Sequence, residues 1–392
     1  MSVITDEKRI DEFLKRGVEN IYPSKEKVKK TLLSGKKLSI YHGIDPTGPT
    51  LHIGHGSVLL KLRELQDLGH RIILLIGDFT GRIGDPTDKS ATRKQLSAKE
   101  IKENLKSYTK QAGMILDMKK VEVKFNSKWL SKLSFEKVME LASEFTLQQM
   151  IERDMFEKRI KEGQPVHLHE FFYPLMQGYD SVAMDVDMEI GGNDQTFNML
   201  VGRTMMKNRG KEKYVLTTKL LVDPTGKKMG KSEGNMVTLE DSPENMFGKV
   251  MSWPDSLMPL AFEICTRVSL SEIDSVNTNP RDLKIKLASE IVKIFHGEKK
   301  AKEAQENFIK TFQKKEIPEE MEEIKANRGE VLSEVLVANK ILSSKSEWRR
   351  LVSENAIHYL VKNQNITDVN LKASENLTLK IGKKRFVKII IK

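Results

Sequence analysis

The sequence predicts a mixed α/β protein: a parallel-sheet layer first, an all-helical segment next, and a small basic α+β domain last. Three observations carry that order. Strand-like apolar runs alternate with helical periodicity over the first third of the 392 residues, helical periodicity takes over from about 240 to 315, and Lys and Arg dominate after 331. Strands that alternate with crossover helices imply a parallel sheet covered on its faces.

Leu38 to Tyr41, Ile72 to Ile76 and Val121 to Phe125 read as short strands, with helices over about 53–68 and 98–116. Ser97 and Glu100 have capping-box spacing ahead of the second helix. A helical insertion spans about 127–165, and the layer as a whole, 1–237, reads as a Rossmann-like catalytic domain. It has neither the Gly-x-Gly-x-x-Gly fingerprint nor a P-loop lysine motif, which disfavours a dehydrogenase or a P-loop enzyme. Residues 238–315 form the helical segment. Ile317-Pro318-Glu319-Glu320 and Asn327-Arg328-Gly329 mark an acidic, turn-rich linker over 316–330. From 331 to 392, 12 Lys or Arg stand against 5 Asp or Glu, so +7 of the net +11 lies there. In that stretch Ser344 and Glu347 repeat the capping-box spacing ahead of Trp348-Arg349-Arg350-Leu351-Val352. The arginines of this helix face outward when Trp348, Leu351 and Val352 pack inward. Leu377 to Ile381, Gly382 and Phe386 to Ile389 read as a hairpin.

Composition narrows the class without choosing it. A net charge of +11 and a pI near 9.3 favour a polyanionic partner, although ordinary basic enzymes share such values. The single cysteine, Cys265, excludes a disulfide framework and a cysteine metal cluster. No apolar run approaches membrane-span length and Met1 to Glu7 lack a signal-peptide pattern, so no membrane is expected and the cytoplasm is the expected location.

Two motifs far apart in sequence carry the chemistry. Tyr41-His42-Gly43-Ile44-Asp45-Pro46-Thr47-Gly48 runs on to His52-Ile53-Gly54-His55-Gly56, between a strand and a helix start. Glycine there lets backbone approach a nucleotide, the helix N-terminus favours anions, and the two histidines can donate hydrogen bonds to phosphate oxygens. Alone, the motif could equally be two surface histidines beside a turn. The second motif, Lys227-Lys228-Met229-Gly230-Lys231-Ser232, follows the turn signal Asp223-Pro224-Thr225-Gly226. A charge run of this kind is ordinarily solvated loop. Between the two, Tyr173, Gln177 and Asp180 stand at i, i+4 and i+7 and form one polar stripe on an apolar helix. Gly191-Gly192-Asn193-Asp194-Gln195 then follows a short strand. His167, His169 and Glu170 fit no strong zinc spacing and read as structural; no metal site is expected in the protein itself.

Both motifs, in this order and at this separation, resemble the signatures of class I aminoacyl-tRNA synthetases. The Tyr173-x-x-x-Gln177-x-x-Asp180 stripe and the Gly-Gly-Asn-Asp-Gln block narrow the resemblance to bacterial tyrosyl-tRNA synthetases, and the basic C-terminus resembles their S4-type RNA-binding domain. The resemblance implies that Tyr41 and Asp180 hold the substrate phenol hydroxyl, that Tyr173, Gln177, Thr80 and Asp85 hold its ammonium, and that Gln195 lies near its carboxylate. It implies ATP contacts at Asp45, Thr47, Gly54 and Gly192, at Asp194 on the ribose, and at Met229 and Ser232. His52, His55, Lys228 and Lys231 become the phosphate clamps, with Lys89 and Arg93 on a second loop. Lys345, Arg349, Arg350, Lys383, Lys384 and Arg385 become the RNA contacts.

On this reading tyrosine attacks the α-phosphate of ATP to give tyrosyl-adenylate and pyrophosphate, and the terminal adenosine of tRNA(Tyr) then takes the tyrosyl group. The carboxylate is already an anion, so the enzyme supplies alignment and charge compensation rather than a base. Mg²⁺ accompanies ATP, and no tightly bound cofactor is expected. A pocket that reads a hydroxyl rejects phenylalanine by leaving polar groups unpaired, tyrosyl-tRNA synthetases being the usual illustration at about 10⁵, and no editing domain is expected. The family also implies a homodimer through the insertion, but Phe135, Val138, Met139, Leu141 and Ala142 could as easily be internal core. Gly230, Thr196 and His42 depart from the commonest family pattern, where serine, tryptophan and cysteine are frequent. Another adenylyl transferase would explain only the first motif, and an idle RNA-binding homologue only the C-terminus.

Overall fold

The computed structural model describes residues 2–85, 98–222, 236–269, 272, 279–310, 321–361, 364–382 and 385–391. The chain divides into two compact units, Met1–Gln305 and Glu306–Lys392.

The first unit is built on a six-stranded sheet. Its strands are β1 (Val18–Tyr22), β2 (Ser39–Ile44), β3 (Arg71–Ile76), β4 (Val121–Phe125), β5 (Met188–Gly192) and β6 (Tyr214–Thr218), in the order β1-β6-β5-β2-β3-β4. All neighbours are parallel except β1, which runs antiparallel to β6 at the edge. The chain therefore moves outward from β2 through β3 to β4, then returns to the other side of β2 for β5 and β6. That reversal is the topological switch point, where open α/β sheets bind ligands beyond the carboxyl ends of their strands.

The helices cover the sheet and extend it. They are α1 (Glu7–Phe13), α2 (Lys25–Leu33), α3 (Ile53–Asp67), α4 (Thr80–Ile83) and α5 (Ala98–Ala112), then the insertion helices α6 (Ser127–Leu130), α7 (Phe135–Ser143), α8 (Leu147–Ile151) and α9 (Asp154–Lys161). After them come α10 (Phe172–Met184) and α11 (Thr196–Asn208), then α12 (Pro243–Met251), α13 (Met258–Cys265), α14 (Pro280–His296) and α15 (Glu298–Phe308). Helix α3 buries Ile53, Val58, Leu59, Leu62 and Leu65 beneath the sheet, which follows from its apolar periodicity. Helices α10 and α11 pack closely because Gly178 and Gly202 face each other; a Cβ on Gly178 would stand 3.2 Å from the Gly202 nitrogen. The helical stretch from Pro243 to Gln305 belongs to the same compact unit as the sheet, so the expected division at 237/238 separates kinds of secondary structure rather than compact bodies. The expected capping residue Ser97 lies outside the described residues.

The second unit carries a five-stranded sheet in the order β7-β11-β10-β8-β9, formed by β7 (Glu322–Ala326), β8 (Ile357–Tyr359), β9 (Gln364–Asn365), β10 (Leu377–Ile381) and β11 (Arg385–Ile391). Helices α16 (Leu332–Ala338) and α17 (Lys345–Ser353) contribute Leu332, Leu336, Trp348 and Val352 to its core. The expected β10–β11 hairpin forms, with Leu377 opposite Ile389 and Gly382 at a φ of 62° in the turn. Arg349 and Arg350 are exposed while Trp348, Leu351 and Val352 are buried.

Two expectations need correction here. The stretch 316–330 is not linker throughout, since Glu322–Ala326 is a strand parallel to β11. Its outward positions are Glu322, Glu323 and Lys325, and only Ile324 and Ala326 are buried, so its charge masks its alternation. Ser344 does cap α17, accepting from the Glu347 N–H at 3.1 Å, but the Glu347 carboxylate reaches back to the Ser343 N–H at 2.7 Å rather than to Ser344.

Candidate active site

At the switch point the carboxyl ends of β2 and β5 separate and open a cleft of about 530 Å³. From β2 and the loop after it come Tyr41, His42, Asp45 and Thr47; from the start of α3, His52, Gly54 and His55; from α10, Tyr173, Gln177 and Asp180; from β5 and the turn after it, Glu189, Gly192, Asp194 and Gln195. Thr80 and Asp85 also line it. The stripe on α10 thus faces the cleft as its spacing predicts.

The amino-acid side of the cleft is a hydrogen-bonded network. Tyr173 donates its hydroxyl to Asp45 at 2.8 Å, and the Thr80 hydroxyl donates to the other oxygen of Asp45 at 2.7 Å. Gly77 leaves the room for these bonds: a Cβ there would meet Asp45 Oδ1 at 1.8 Å and Thr80 Oγ1 at 2.4 Å. Asp45 therefore braces two of the expected ammonium ligands, Tyr173 and Thr80. Gln195 donates to Asp85 at 2.6 Å, and Arg153 of the insertion pairs with the same carboxylate at 3.2 Å. The Tyr41 hydroxyl is fully buried and lies 2.8 Å from Ser181 Oγ. Burial, then the charges of Glu189 and Asp180, push its ionisation well above the usual tyrosine value, so it stays a neutral phenol. Burial also pushes the Asp180 carboxyl upward, while N–H bonds from Trp129 at 2.7 Å and Asn126 at 3.2 Å pull it back.

The nucleotide side is shaped by the start of α3. His52 is the N-cap residue, its Nδ1 accepting from the Gly54 N–H at 3.1 Å, and His55 Nδ1 accepts from the His52 N–H at 3.2 Å. With Nδ1 of each ring an acceptor, the neutral rings carry their proton on Nε2. The rings lie 3.9 Å apart. The flanks of this motif are tied to the segment that follows the lysine-rich motif in sequence: Ile53 N–H donates to Val237 O at 3.0 Å, and Leu239 N–H to Leu51 O at 2.9 Å. Lys228, Met229, Lys231 and Ser232 lie outside the described residues, as do Lys89 and Arg93.

Several groups in or beside the cleft escape sequence reasoning. Asn126 follows β4 at the level where parallel strands present ligands, and Trp129 lies one helical turn later, so position after a strand is the usable signal. Glu189 is a charge inside the otherwise apolar run Met188-Glu189-Ile190, and its buried partner Lys213 comes from the next strand's approach. His42 Nδ1 bonds Ile190 O at 2.9 Å, and burial keeps the ring neutral. Its buried Nε2 has no partner among the described residues and so offers an acceptor on a cleft-lining side chain. Thr196 turns its hydroxyl back to Asn193 O at 2.6 Å, away from chemistry. Glu170 is occupied by Arg159 and the His167 N–H, consistent with a structural role.

In the second unit Lys345, Arg349, Arg350 and Arg385 are exposed, with Lys345 paired to Glu334 and Arg350 to Glu354. Arg385 also donates to Ile341 O. Lys383 and Lys384 lie outside the described residues.

Residues 33–313 match the family described as tRNA synthetases class I (W and Y). The chain belongs to that family. This class I synthetase is 47% identical to the tyrosine–tRNA ligase of Carboxydothermus hydrogenoformans over 98% of both chains, and 43% identical to that of Thermotoga maritima over 98% of both. Its fold is shared with the C-terminally truncated mitochondrial tyrosyl-tRNA synthetase of Coccidioides posadasii, with a TM-score of 0.63, 24% identity and coverage of 76% of this chain and 91% of that one. The Archaeoglobus fulgidus tyrosyl-tRNA synthetase, solved with L-tyrosine, gives a TM-score of 0.60 at 22% identity, covering 76% of this synthetase and all of that chain. Among the described residues of this synthetase no three His, Cys, Asp or Glu side chains are grouped to hold a metal ion, and no helix is long and apolar enough to cross a membrane.

Proposed function

We propose that this synthetase is a tyrosine–tRNA ligase working in the cytoplasm, activating L-tyrosine with ATP and passing it to the terminal adenosine of tRNA(Tyr). One observation carries the reading. A single cleft is lined by Tyr41 and Asp180, suited to a phenol, and by His52 and His55 at a helix N-terminus, suited to a triphosphate. The full-length tyrosine–tRNA ligase relatives support the same substrate.

Tyrosine needs no base. Tyr173, Gln177, Thr80 and Asp85 orient its ammonium so that its carboxylate meets the α-phosphate in line, and His52 and His55 donate from Nε2 to the oxygens where charge builds. Lys228 and Lys231, with Lys89 and Arg93, close over the pyrophosphate. Mg²⁺ arrives on ATP as part of the substrate, held mostly by phosphates and water. Asp194 takes the ribose. In the second unit Lys345, Arg349, Arg350, Lys383, Lys384 and Arg385 form an S4-like surface for tRNA. The insertion forms a homodimer face, supported by Phe135 and Leu147, which are 80% and 60% exposed.

ATP–pyrophosphate exchange with each of the twenty amino acids tests the reading. Exchange with tyrosine alone is expected. Exchange with tryptophan overturns the roles of Tyr41 and Asp180, and silence with all twenty leaves an RNA-binding homologue.

A further inference from the structure

Behind the amino-acid pocket lies an ion pair that the reaction as described does not use. Lys213 and Glu189 pair with their side chains 0% and 3% exposed. Lys213 also donates to Met199 O at 3.1 Å, and its ammonium lies 5.6 Å from the ring centre of Tyr41. The space for it comes from Gly202, where a Cβ would stand 2.6 Å from Nζ. Buried pairs of this kind are often no more stabilising than apolar residues of the same volume. Stability alone does not explain why one is kept beside a substrate pocket.

The second oxygen of Glu189 shows what the pair reaches. It accepts from Gln177 Nε2 at 3.1 Å, and both Glu189 and Gln177 line the cleft. A carboxylate held by an ammonium only accepts, so the Gln177 carboxamide must turn its NH₂ toward Glu189. Its oxygen is left over, and no donor among the described residues reaches it. The result is a directed chain in which Lys213 donates to Glu189, Gln177 donates to Glu189, and Gln177 keeps an acceptor for a cation. We propose that Lys213 and Glu189 are positioning residues that set the Gln177 carboxamide with its oxygen toward the substrate ammonium. This rests on the tyrosine-ligase reading and on the place of Gln177 within it.

Glu189→Gln tests the chain by reversing it. Lys213 has donors only, so it captures the new carboxamide by its oxygen and turns that group's NH₂ toward Gln177. Gln177 then turns its oxygen inward and presents NH₂ to the ammonium. The KM for tyrosine in exchange should rise about 10- to 100-fold, with kcat and the KM for ATP nearly unchanged. Adding Lys213→Met frees the carboxamide to turn and should recover most of the loss, whereas a merely structural pair gives a double variant no better than the single one. Binding of 3-(4-hydroxyphenyl)propionate, which keeps the phenol and lacks the ammonium, should fall far less in Glu189→Gln than that of tyrosine. Equal losses for tyrosine and this analogue, or no recovery in the double variant, overturn the proposal. Absence of tyrosine-dependent exchange in the unaltered protein overturns the ligase reading instead, before any variant is made.

Discussion

Trp129 donates its indole N–H to Asp180 at 2.7 Å and so joins the helical insertion to the polar stripe of α10. The bond holds down a carboxyl that burial pushes up. Trp129→Phe keeps the ring and removes the donor. Asp180 then moves further up and becomes a poorer acceptor for a phenol, and the tyrosine KM should rise by about tenfold. Steady-state kinetics with tyrosine as the varied substrate will show whether it does.

His52 is the N-cap of α3 and, on the proposed reading, a phosphate donor, and the two roles separate by substitution. His52→Asn retains an acceptor for the Gly54 N–H. It should still slow tyrosine activation by about 10²- to 10³-fold, roughly 3 to 4 kcal/mol, with tyrosine affinity little changed. Lys231→Ala should give the same signature in pre-steady-state activation. An equal fall in tyrosine binding would contradict the assignment of either residue.

Much of this site was legible because its residues are near one another along short motifs. The loop after β2 had to end a strand and start a helix, and Tyr173, Gln177 and Asp180 shared a helical face whatever they touched. The rest depended on the sheet. Glu189 and Lys213 meet only because β5 and β6 pair, Asn126 reaches Asp180 only across the switch point, and the edge strand β1 in Val18-Glu19-Asn20-Ile21-Tyr22 shows no clear alternation. In the second unit Glu322, Glu323 and Lys325 made a strand look like linker.

The exposed apolar side chains of the insertion predict an oligomer that one charge can break. Phe135→Asp should shift the protein from dimer to monomer in light scattering at micromolar concentration. A monomeric unaltered protein would remove that face from the proposal.

Arg349 and Arg350 stand exposed on α17. Replacing both with alanine should weaken tRNA binding and lower the slope of log affinity against log salt by about 1 to 2. A loss of affinity with an unchanged slope would mean that they do not meet phosphates.

His70 gives the fold a pH limit. Burial, ahead of the nearby Lys37 charge, pushes its imidazole down from the usual 6.5 to about 4. Below pH 6.5 the unfolded chain takes up a proton that the folded protein refuses, so stability is intact above 6.5 and falls as the pH drops toward 4. His70→Asn, which keeps an acceptor for the Leu38 N–H, should flatten that fall in urea midpoints measured across the window.

The second unit's sheet order also sets a timetable. β11 pairs with both β7 and β10, yet it leaves the ribosome after every other strand of its sheet. β8, β9 and β10 can assemble among themselves as they appear, whereas Glu322–Ala326 has no neighbour until Arg385–Ile391 arrives. A translation stall just short of Arg385 therefore leaves one side of β10 open, with the backbone of Leu377, Leu379 and Ile381 available to any passing strand.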